Sequence, residues 1–419
     1  MATARQQGGG LLLALVAISL AMVSVGALAL SSAGLAAQRA AASERALAQA
    51  REALIAFAAD RPIDARVGPG YLPCPDLDDD GWAESTCGSL SGHLGQAERL
   101  GRLPWKTLGL PDLRDGHGER LWYAVSTRFK GLLNCAASRA CVDMSPATAL
   151  GTITVRDGSG GVLHDGTLGE AASAAGGGAA AVVIAPGPAL RRRDGHEQRR
   201  DCARGECDAR GRCLANPPWL SSRCDPRNYL DDAPAEDNAR FHDRSDARAG
   251  NADGFIQGPV ELAGAPAVND RVIAVSRPDL MARVMARIGL ELAQCVRRGS
   301  QGPDGLAMPV AQCAVSADLG RVPDATLSGA PACSASADEP GWWNAWRTHV
   351  LYARAGPEGL EVVDPGGRSL GRGRRFAILV TQRAGDCAPG VVQCDADGCR
   401  RAVQPSRSRD RHDALVASP

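Results

Sequence analysis

The twenty residues from Leu11 to Leu30 are predominantly apolar and include no charged side chain. A helix rises about 1.5 Å per residue, so this run is about 30 Å long, which is the thickness of the hydrocarbon layer of a bilayer. Arg5 is the only charged residue before it. The pattern predicts a transmembrane helix at 11–30, with residues 1–10 in the cytoplasm and the remainder across the membrane. A cleaved signal peptide and a buried core helix are the alternatives.

Helical spacing continues from Ala33 to Asp60. Apolar residues recur about every third or fourth position between charged ones. They are Leu35, Leu47, Ala50, Leu54, Ile55 and Phe57. Pro62 disfavours helical geometry in Arg61 and ends the pattern there. The sequence therefore predicts one continuous helix whose second part, 33–60, is a stem that packs against a globular body.

The rest of the chain repeats one order of segments. Each half contains a helix, a Gly-Arg-x-Pro loop, a strand with Tyr-Ala, a glycine-turn hairpin and an apolar strand. The segments lie at 100–104, 119–124, 154–166 and 181–187 in the first half, and at 278–297 (the helix), 319–323, 349–353, 362–373 and 377–382 in the second. Short apolar strands broken by Gly and Asp turns are typical of antiparallel hairpins. A chance alignment of Ala- and Gly-rich sequence is the alternative to a true repeat.

The predicted fold class is α+β: a long N-terminal membrane-spanning helix packed on an antiparallel sheet, in two tandem units. The predicted organisation is a leader at 1–10, the membrane helix at 11–30, a first α+β domain at 31–190, a Cys- and Arg-rich insertion or linker at 191–250, a second α+β unit at 251–385 and a polar, Cys-containing tail at 386–419.

Three further motifs follow the first helix in a fixed order. They are Leu-Pro-Cys-Pro-Asp at 72–76, Leu-Pro-Trp-Lys-Thr-Leu-Gly-Leu-Pro at 103–111 and Arg-Leu-Trp-Tyr-Ala-Val at 120–125. Together with the N-terminal segment, they resemble the type IV pilin-like proteins, which include minor pilins and type II secretion pseudopilins. The resemblance covers about the first third of the chain. Both proposed units are then expected to be pilin-like.

The resemblance implies a non-enzymatic subunit of a type II secretion or type IV pilus-type assembly. Such a subunit is a single-pass protein of the bacterial inner membrane with its C-terminal body in the periplasm. Its partners are other pilin or pseudopilin subunits, which it contacts through the N-terminal helix. Cleavage by a prepilin peptidase would fall after Gly9 or after Gly10, so that Gly10 or Leu11 would be the first mature residue.

One position departs from the family pattern. Most prepilins carry glutamate at the fifth mature residue, where Ala14 or Leu15 stands here. Atypical minor pseudopilins placed at a filament tip share this feature. An unprocessed single-pass anchor is the alternative.

Composition agrees with an exported protein. The chain has 47 basic and 47 acidic residues, so its formal net charge is zero. The net charge therefore does not predict binding to nucleic acid. Its 14 cysteines are typical of disulfides formed in an oxidising compartment. The disulfide candidates are Cys74, Cys87, Cys135, Cys141, Cys202, Cys207, Cys213 and Cys224. The last four lack the close pairs of a typical zinc site, so disulfides are favoured over zinc there.

Acidic residues between Cys74 and Cys87 have the spacing of a calcium loop. Asp76, Asp78 and Asp80 precede Gly81, as in the first half of an EF-hand, and Glu84 stands at the ninth position. Cys87 occupies the twelfth position, where a bidentate glutamate is normal. We predict a calcium site at these four acids, and the alternative is a solvated acidic turn.

No sequence signature of a common catalytic site is present. The cluster of Trp342, Trp343 and Trp346 is expected in the core. If the cluster were a contact surface instead, the chain would be a membrane-tethered binding or adhesion module outside any filament.

Overall fold

The structure, a computed structural model, describes most of the chain with gaps. The described residues are 7–60, 69–85, 87, 99–126, 129–130, 151–166, 177–200, 224–234, 236–239, 254–299, 305–312, 316–323, 342–381, 385, 387, 391–395, 398–404 and 414–417.

The longest element is helix α1, Gln7–Asp60. Its C-terminal part packs on the body through Leu47, Ala50 and Leu54, each at most 1 % exposed. No described side chain of α1 before Ser43 is buried. The helix therefore packs on the body through its C-terminal part.

Among the described residues, no helix has both the length and the apolar character needed to cross a bilayer. The predictions of a transmembrane helix at 11–30 and of a single-pass inner-membrane protein are therefore wrong. A span needs about twenty consecutive apolar side chains, whereas the described side chains of α1 after residue 32 include Arg39, Glu44 and Arg51. Within 11–30, the described side chains are those of Ala14, Leu15, Val16 and Ile18.

The first half of the body is built on a four-stranded antiparallel sheet, the first main sheet. Its order is β1-β2-β5-β9, and every residue of the central strand β5 is buried. The first half also contains a smaller sheet of order β4-β3-β6 and the hairpin β7-β8. The strands are β1 (Leu100–Arg102), β2 (Trp122–Val125), β3 (Thr154–Arg156), β4 (Val162–His164), β5 (Ala179–Ala185), β6 (Gly254–Ile256), β7 (Val260–Leu262), β8 (Ala265–Val268) and β9 (Arg271–Ser276).

The second half begins with helix α2, Arg277–Gly299, which follows β9 directly. The second half contains the second main sheet, whose antiparallel strands have the order β10-β11-β12-β15-β18. It also contains a smaller sheet of order β14-β13-β17-β16. A short helix α3, Trp342–Trp346, precedes β12. The strands are β10 (Val310–Ala311), β11 (Leu319–Arg321), β12 (Val350–Arg354), β13 (Leu360–Val363), β14 (Ser369–Arg374), β15 (Phe376–Val380), β16 (Val392–Asp395), β17 (Gly398–Val403) and β18 (Ala414–Ala417).

The two halves share one connectivity. In the first half, β2 pairs with β5, β5 with β9, and β3 runs parallel to β6. In the second half, β12 pairs with β15, β15 with β18, and β13 runs parallel to β17. The largest apolar core contains residues of both main sheets together with α1 and α2, for example Leu54, Val183, Ile288 and Ile378. Helix α2 therefore packs in a core that the two halves have in common.

The predicted fold class, a membrane-spanning helix on an antiparallel sheet, is wrong. Within the described residues, strands predominate and form five sheets, two of which contain a parallel pair. The parallel partners β6 and β17 come from later in the chain, so the local turn pattern that indicated antiparallel hairpins could not show them. Whether either half is pilin-like stays a prediction.

Candidate metal centre

The acidic loop, residues 76–84, starts at the edge of the first main sheet. Asp76 and Arg102 of β1 exchange two backbone hydrogen bonds, with N···O distances of 3.0 and 2.7 Å. Cys74 and Cys87 form a disulfide with their Cα atoms 5.6 Å apart. Both ends of the loop are therefore fixed, one by a strand and the other by a crosslink.

Asp76 organises the turn from inside. Its carboxylate accepts hydrogen bonds from the backbone N–H groups of Asp79 (2.7 Å), Asp80 (3.2 Å) and Gly81 (2.7 Å). Gly81 has φ +90°, and an added Cβ would lie 2.7 Å from the indole nitrogen of Trp105. Glycine is required here for both reasons, and an EF-hand also has glycine at this sixth position.

Three carboxylates converge in the loop. Asp76, Asp78 and Glu84 each present an oxygen, and these oxygens all lie within 4.8 Å of one another. Calcium binds oxygen at about 2.3–2.6 Å, so two oxygens on one ion can be at most about 5 Å apart. The spacing fits one shared cation.

Asp80 lies outside this group of three, although the sequence suggested it as a ligand. Its Oδ1 accepts a hydrogen bond from the backbone N–H of Trp82 at 2.7 Å, and Lys106 Nζ donates to its carbonyl oxygen. Cys87 is in the disulfide and supplies no oxygen at the twelfth position. The structure therefore reduces the predicted ligand set to three carboxylates.

The electrostatics of the loop favour a cation. The pKa of Asp76 is raised to about 6, mainly by burial and also by the charges of Asp79 and Asp80, although the hydrogen bonds that it accepts from the backbone lower it. Burial also raises the pKa of Glu84. A bound divalent ion would favour the charged form of both groups.

Asp79 points away from the cluster and is neutralised by arginine. It receives a hydrogen bond from Arg120 at 2.7 Å and lies 3.9 Å from the Arg102 guanidinium. The Arg102 guanidinium carbon is 4.4 Å from the ring centre of Trp122 and 4.0 Å from that of Tyr229. Sequence analysis missed this stack because Tyr229 lies far along the chain from the other two residues.

Disulfide bonding, predicted from composition, is confirmed. Besides the crosslink at the loop, Cys394 pairs with Cys399, and Cys224, Cys295 and Cys387 are disulfide-bonded. The bonded state of Cys224 favours crosslinks over zinc in the 191–250 segment. Other predicted disulfide residues lie outside the described residues, namely Cys135, Cys141, Cys202, Cys207 and Cys213.

Two further sequence candidates can be placed. Trp343 and Trp346 are 3 % and 1 % exposed, which confirms the core position expected for them, and the side chain of Trp342 is not described. Gly9, Gly10 and Leu11 lie within α1, and the side chain of Leu11 is outside the part of the chain that the structure describes. Processing at this position stays a prediction.

A second acidic group was also missed. Asp231 and Asp270 are 1 % and 0 % exposed and lie together although 39 positions separate them. No local sequence pattern joins two residues that far apart.

Comparison with known proteins gives no family for the chain. No protein-family model, curated protein or solved structure matches it.

Proposed function

We propose that this chain is a non-enzymatic, pilin-like subunit of a type II secretion or type IV pilus-type assembly. Helix α1 contacts the other subunits by packing side by side with their helices. The acidic loop binds calcium and stabilises the first half of the body. The proposal rests on the sequence resemblance together with the exposed N-terminal part of α1.

The exposed part of α1 is the observation that carries the proposal. Leu15, Val16, Ile18 and Leu35 are 60, 46, 54 and 48 % exposed. Burying such a side chain completely contributes about 1.5–3 kcal/mol. Exposed apolar side chains on a helix gain this stabilisation when the helix packs against another helix.

The anchored end of α1 makes it suited to this role. Arg51 donates to Asp279 at 2.6 Å and to the carbonyl oxygen of Ala274 at 3.1 Å. Glu52 pairs with Arg283 of α2 at 3.2 Å. These contacts, with the buried apolar face, fix the direction in which α1 leaves the body, so a partner bound to the helix is held in a defined orientation.

The test uses the full chain produced in its native host. The double variant Leu15→Glu, Ile18→Glu places charges on the exposed face, and Leu290→Glu is the matched control, because Leu290 is 50 % exposed on α2. Chemical crosslinking followed by mass spectrometry identifies what α1 contacts. We expect crosslinks from α1 to the N-terminal helices of pilin-like subunits in the wild type and the control, and their loss in the double variant. Crosslinks in the wild type that avoid α1 or avoid such subunits would refute the proposal.

A further inference from the structure

A buried carboxyl pair, Asp231 and Asp270, joins separate parts of the first half. Asp231 follows the 3-10 helix Pro226–Asn228, and Asp270 lies in the turn between β8 and β9. Each side chain accepts a hydrogen bond from the other residue's backbone. The Asp231 N–H donates to Asp270 Oδ2 at 2.8 Å, and the Asp270 N–H donates to Asp231 Oδ2 at 3.3 Å.

Neutral donors supply the other hydrogen bonds that the two carboxyl groups accept. Gln198 donates to Asp231 Oδ1 at 2.9 Å, and the backbone N–H of Asn269 donates to Asp231 Oδ2 at 2.7 Å. Asn238 donates to Asp270 Oδ2 at 2.9 Å and exchanges two hydrogen bonds with the backbone of Ile256 in β6, at 3.0 and 2.9 Å. The network therefore fastens the segment that contains Asp231 and Asn238 to β6 and to the β8–β9 turn.

One oxygen is left over. Asp270 Oδ1 is buried and has no hydrogen-bond partner among the described residues. A buried charged oxygen without a donor is costly, whereas a protonated carboxyl has one charge fewer to solvate. The geometry thus suits a neutral Asp270 beside Asp231.

The charged groups around the pair are largely committed to other partners. Arg200 is the cation that faces both carboxyls, and it donates to the carbonyl oxygens of Tyr229 at 2.6 Å and Gly187 at 3.0 Å. Three ion pairs occupy the neighbouring charges: Arg192 with Asp237 at 2.8 Å, Arg156 with Glu236 at 2.8 Å and Arg271 with Glu44 at 2.5 Å. Burial raises the pKa of Asp270 well above its ordinary value, and the Asp231 charge adds to this.

We propose that the carboxyl pair is a proton-operated latch for the described residues 224–234 and 236–239, which closes when Asp270 is protonated and opens when its proton is lost. In the closed state, Tyr229 covers Arg102. Opening uncovers the Arg102 guanidinium and the Trp122 ring. This inference is independent of the proposed role in assembly.

The direction of the pH effect follows from proton linkage. Closed Asp270 keeps its proton to a higher pH than open Asp270, which has the ordinary aspartate pKa of about 3.9. Between the two pKa values the closed state binds one proton more. The equilibrium constant for opening therefore rises about tenfold per pH unit in that window and becomes constant above it.

Tryptic cleavage after Arg227, scored by mass spectrometry on the folded full chain, measures opening. The rate for wild type is divided by the rate for Asp270→Asn at each pH between 5 and 8, which cancels the pH dependence of the protease. We expect this ratio to rise with pH, because asparagine imitates the protonated carboxyl and keeps the latch closed. Asp157→Asn, an exposed turn residue of the same half, is the control and should behave as wild type.

A ratio that does not change with pH would overturn the proposal. If Asp270→Asn does not fold, infrared spectroscopy of the wild type decides instead. We expect the absorption of a protonated carboxyl at pH 7 in the folded chain and its disappearance in urea. Its absence from the folded chain would contradict a neutral Asp270.

Discussion

Asp76 carries out two tasks that compete for its carboxylate. It accepts three backbone hydrogen bonds that shape the acidic loop, and one of its oxygens belongs to the three-carboxylate cluster. Its pKa is raised to about 6, so the metal-free folded state retains a proton that the unfolded chain loses. The contribution of Asp76 to stability is therefore complete below the ordinary aspartate pKa and falls as the pH rises to about 6. Calcium, which binds the charged form, opposes this loss.

At the residue scale, we predict that calcium binds through Asp78 and not through Asp80. Calorimetric titration of the full chain at neutral pH should give a Kd of about 10⁻⁴–10⁻³ M, the range of extracellular calcium modules with few ligands. Asp78→Asn removes one of three clustered charges and should weaken binding at least about tenfold. Asp80→Asn is the matched control and should have a smaller effect, since Asp80 lies outside the cluster.

The same titration tests the role of Asp76. Below pH 6 its carboxyl holds a proton, so the calcium affinity should fall with the pH. An absence of heat from calcium in the unmutated protein would exclude the site, and equal losses in the two variants would exclude the assigned ligands.

The acidic loop could be found from sequence because all its parts lie within fourteen residues. The alternation of Asp76, Asp78 and Asp80 before Gly81 and the two flanking cysteines are local patterns. Local spacing could not show that the Asp80 carboxylate accepts the Trp82 N–H, which sets it apart from the cluster. The Arg102 stack and the carboxyl pair depend on contacts between distant segments, so sequence analysis had no signal for them.

At the element scale, strands β1 and β11 are built alike. Each reads Leu-Gly-Arg, and in each the glycine faces a carbonyl of an adjoining segment. An added Cβ on Gly101 would lie 2.6 Å from the carbonyl oxygen of Asp76, and one on Gly320 would lie 2.2 Å from that of Val310. The next strands agree as well, because Tyr123 donates to the carbonyl oxygen of Pro73 at 3.0 Å and Tyr352 to that of Ala307 at 3.3 Å.

We predict that Gly101→Ala and Gly320→Ala each lower the free energy of unfolding by about 1–3 kcal/mol, because the neighbouring backbone must move to admit a methyl group. Gly34→Ala is the control, since nothing lies within 4 Å of an added Cβ there. In a helix, that change should raise stability by up to about 1 kcal/mol. Urea unfolding of the three variants measures these values. A Gly101→Ala protein as stable as the wild type would contradict the close contact.

Elements with strong periodicity were predictable, and their partners were not. The helix expected at 278–297 is found at Arg277–Gly299, and the helix expected to stop before Pro62 ends at Asp60. The apolar strand expected at 181–187 is found at Ala179–Ala185. Pairing of β3 with β6 and of β13 with β17 was missed, since strand pairing is decided by tertiary contacts rather than by composition. The membrane assignment was wrong for another reason: the apolar run at 11–30 was interpreted as a span, and among the described residues no helix has the length and apolar character that a span needs.

For the whole molecule, the common core has a thermodynamic consequence. Leu54 of α1, Ile288 of α2 and Ile378 of β15 belong to one apolar cluster, so neither half can unfold without exposing residues of the other. We predict a single cooperative transition in scanning calorimetry, with equal calorimetric and van't Hoff enthalpies. Two resolved transitions would show that the halves are independent, in spite of their contacts.

The direct passage from β9 into α2 also has a mechanical consequence. Ser276 ends β9, the edge strand of the first main sheet, and Arg277 starts the helix that packs in the core common to both halves. No flexible connection lies at this joint. A load applied along α1 would therefore be passed to both main sheets, because α1 and α2 share one apolar core with residues of both.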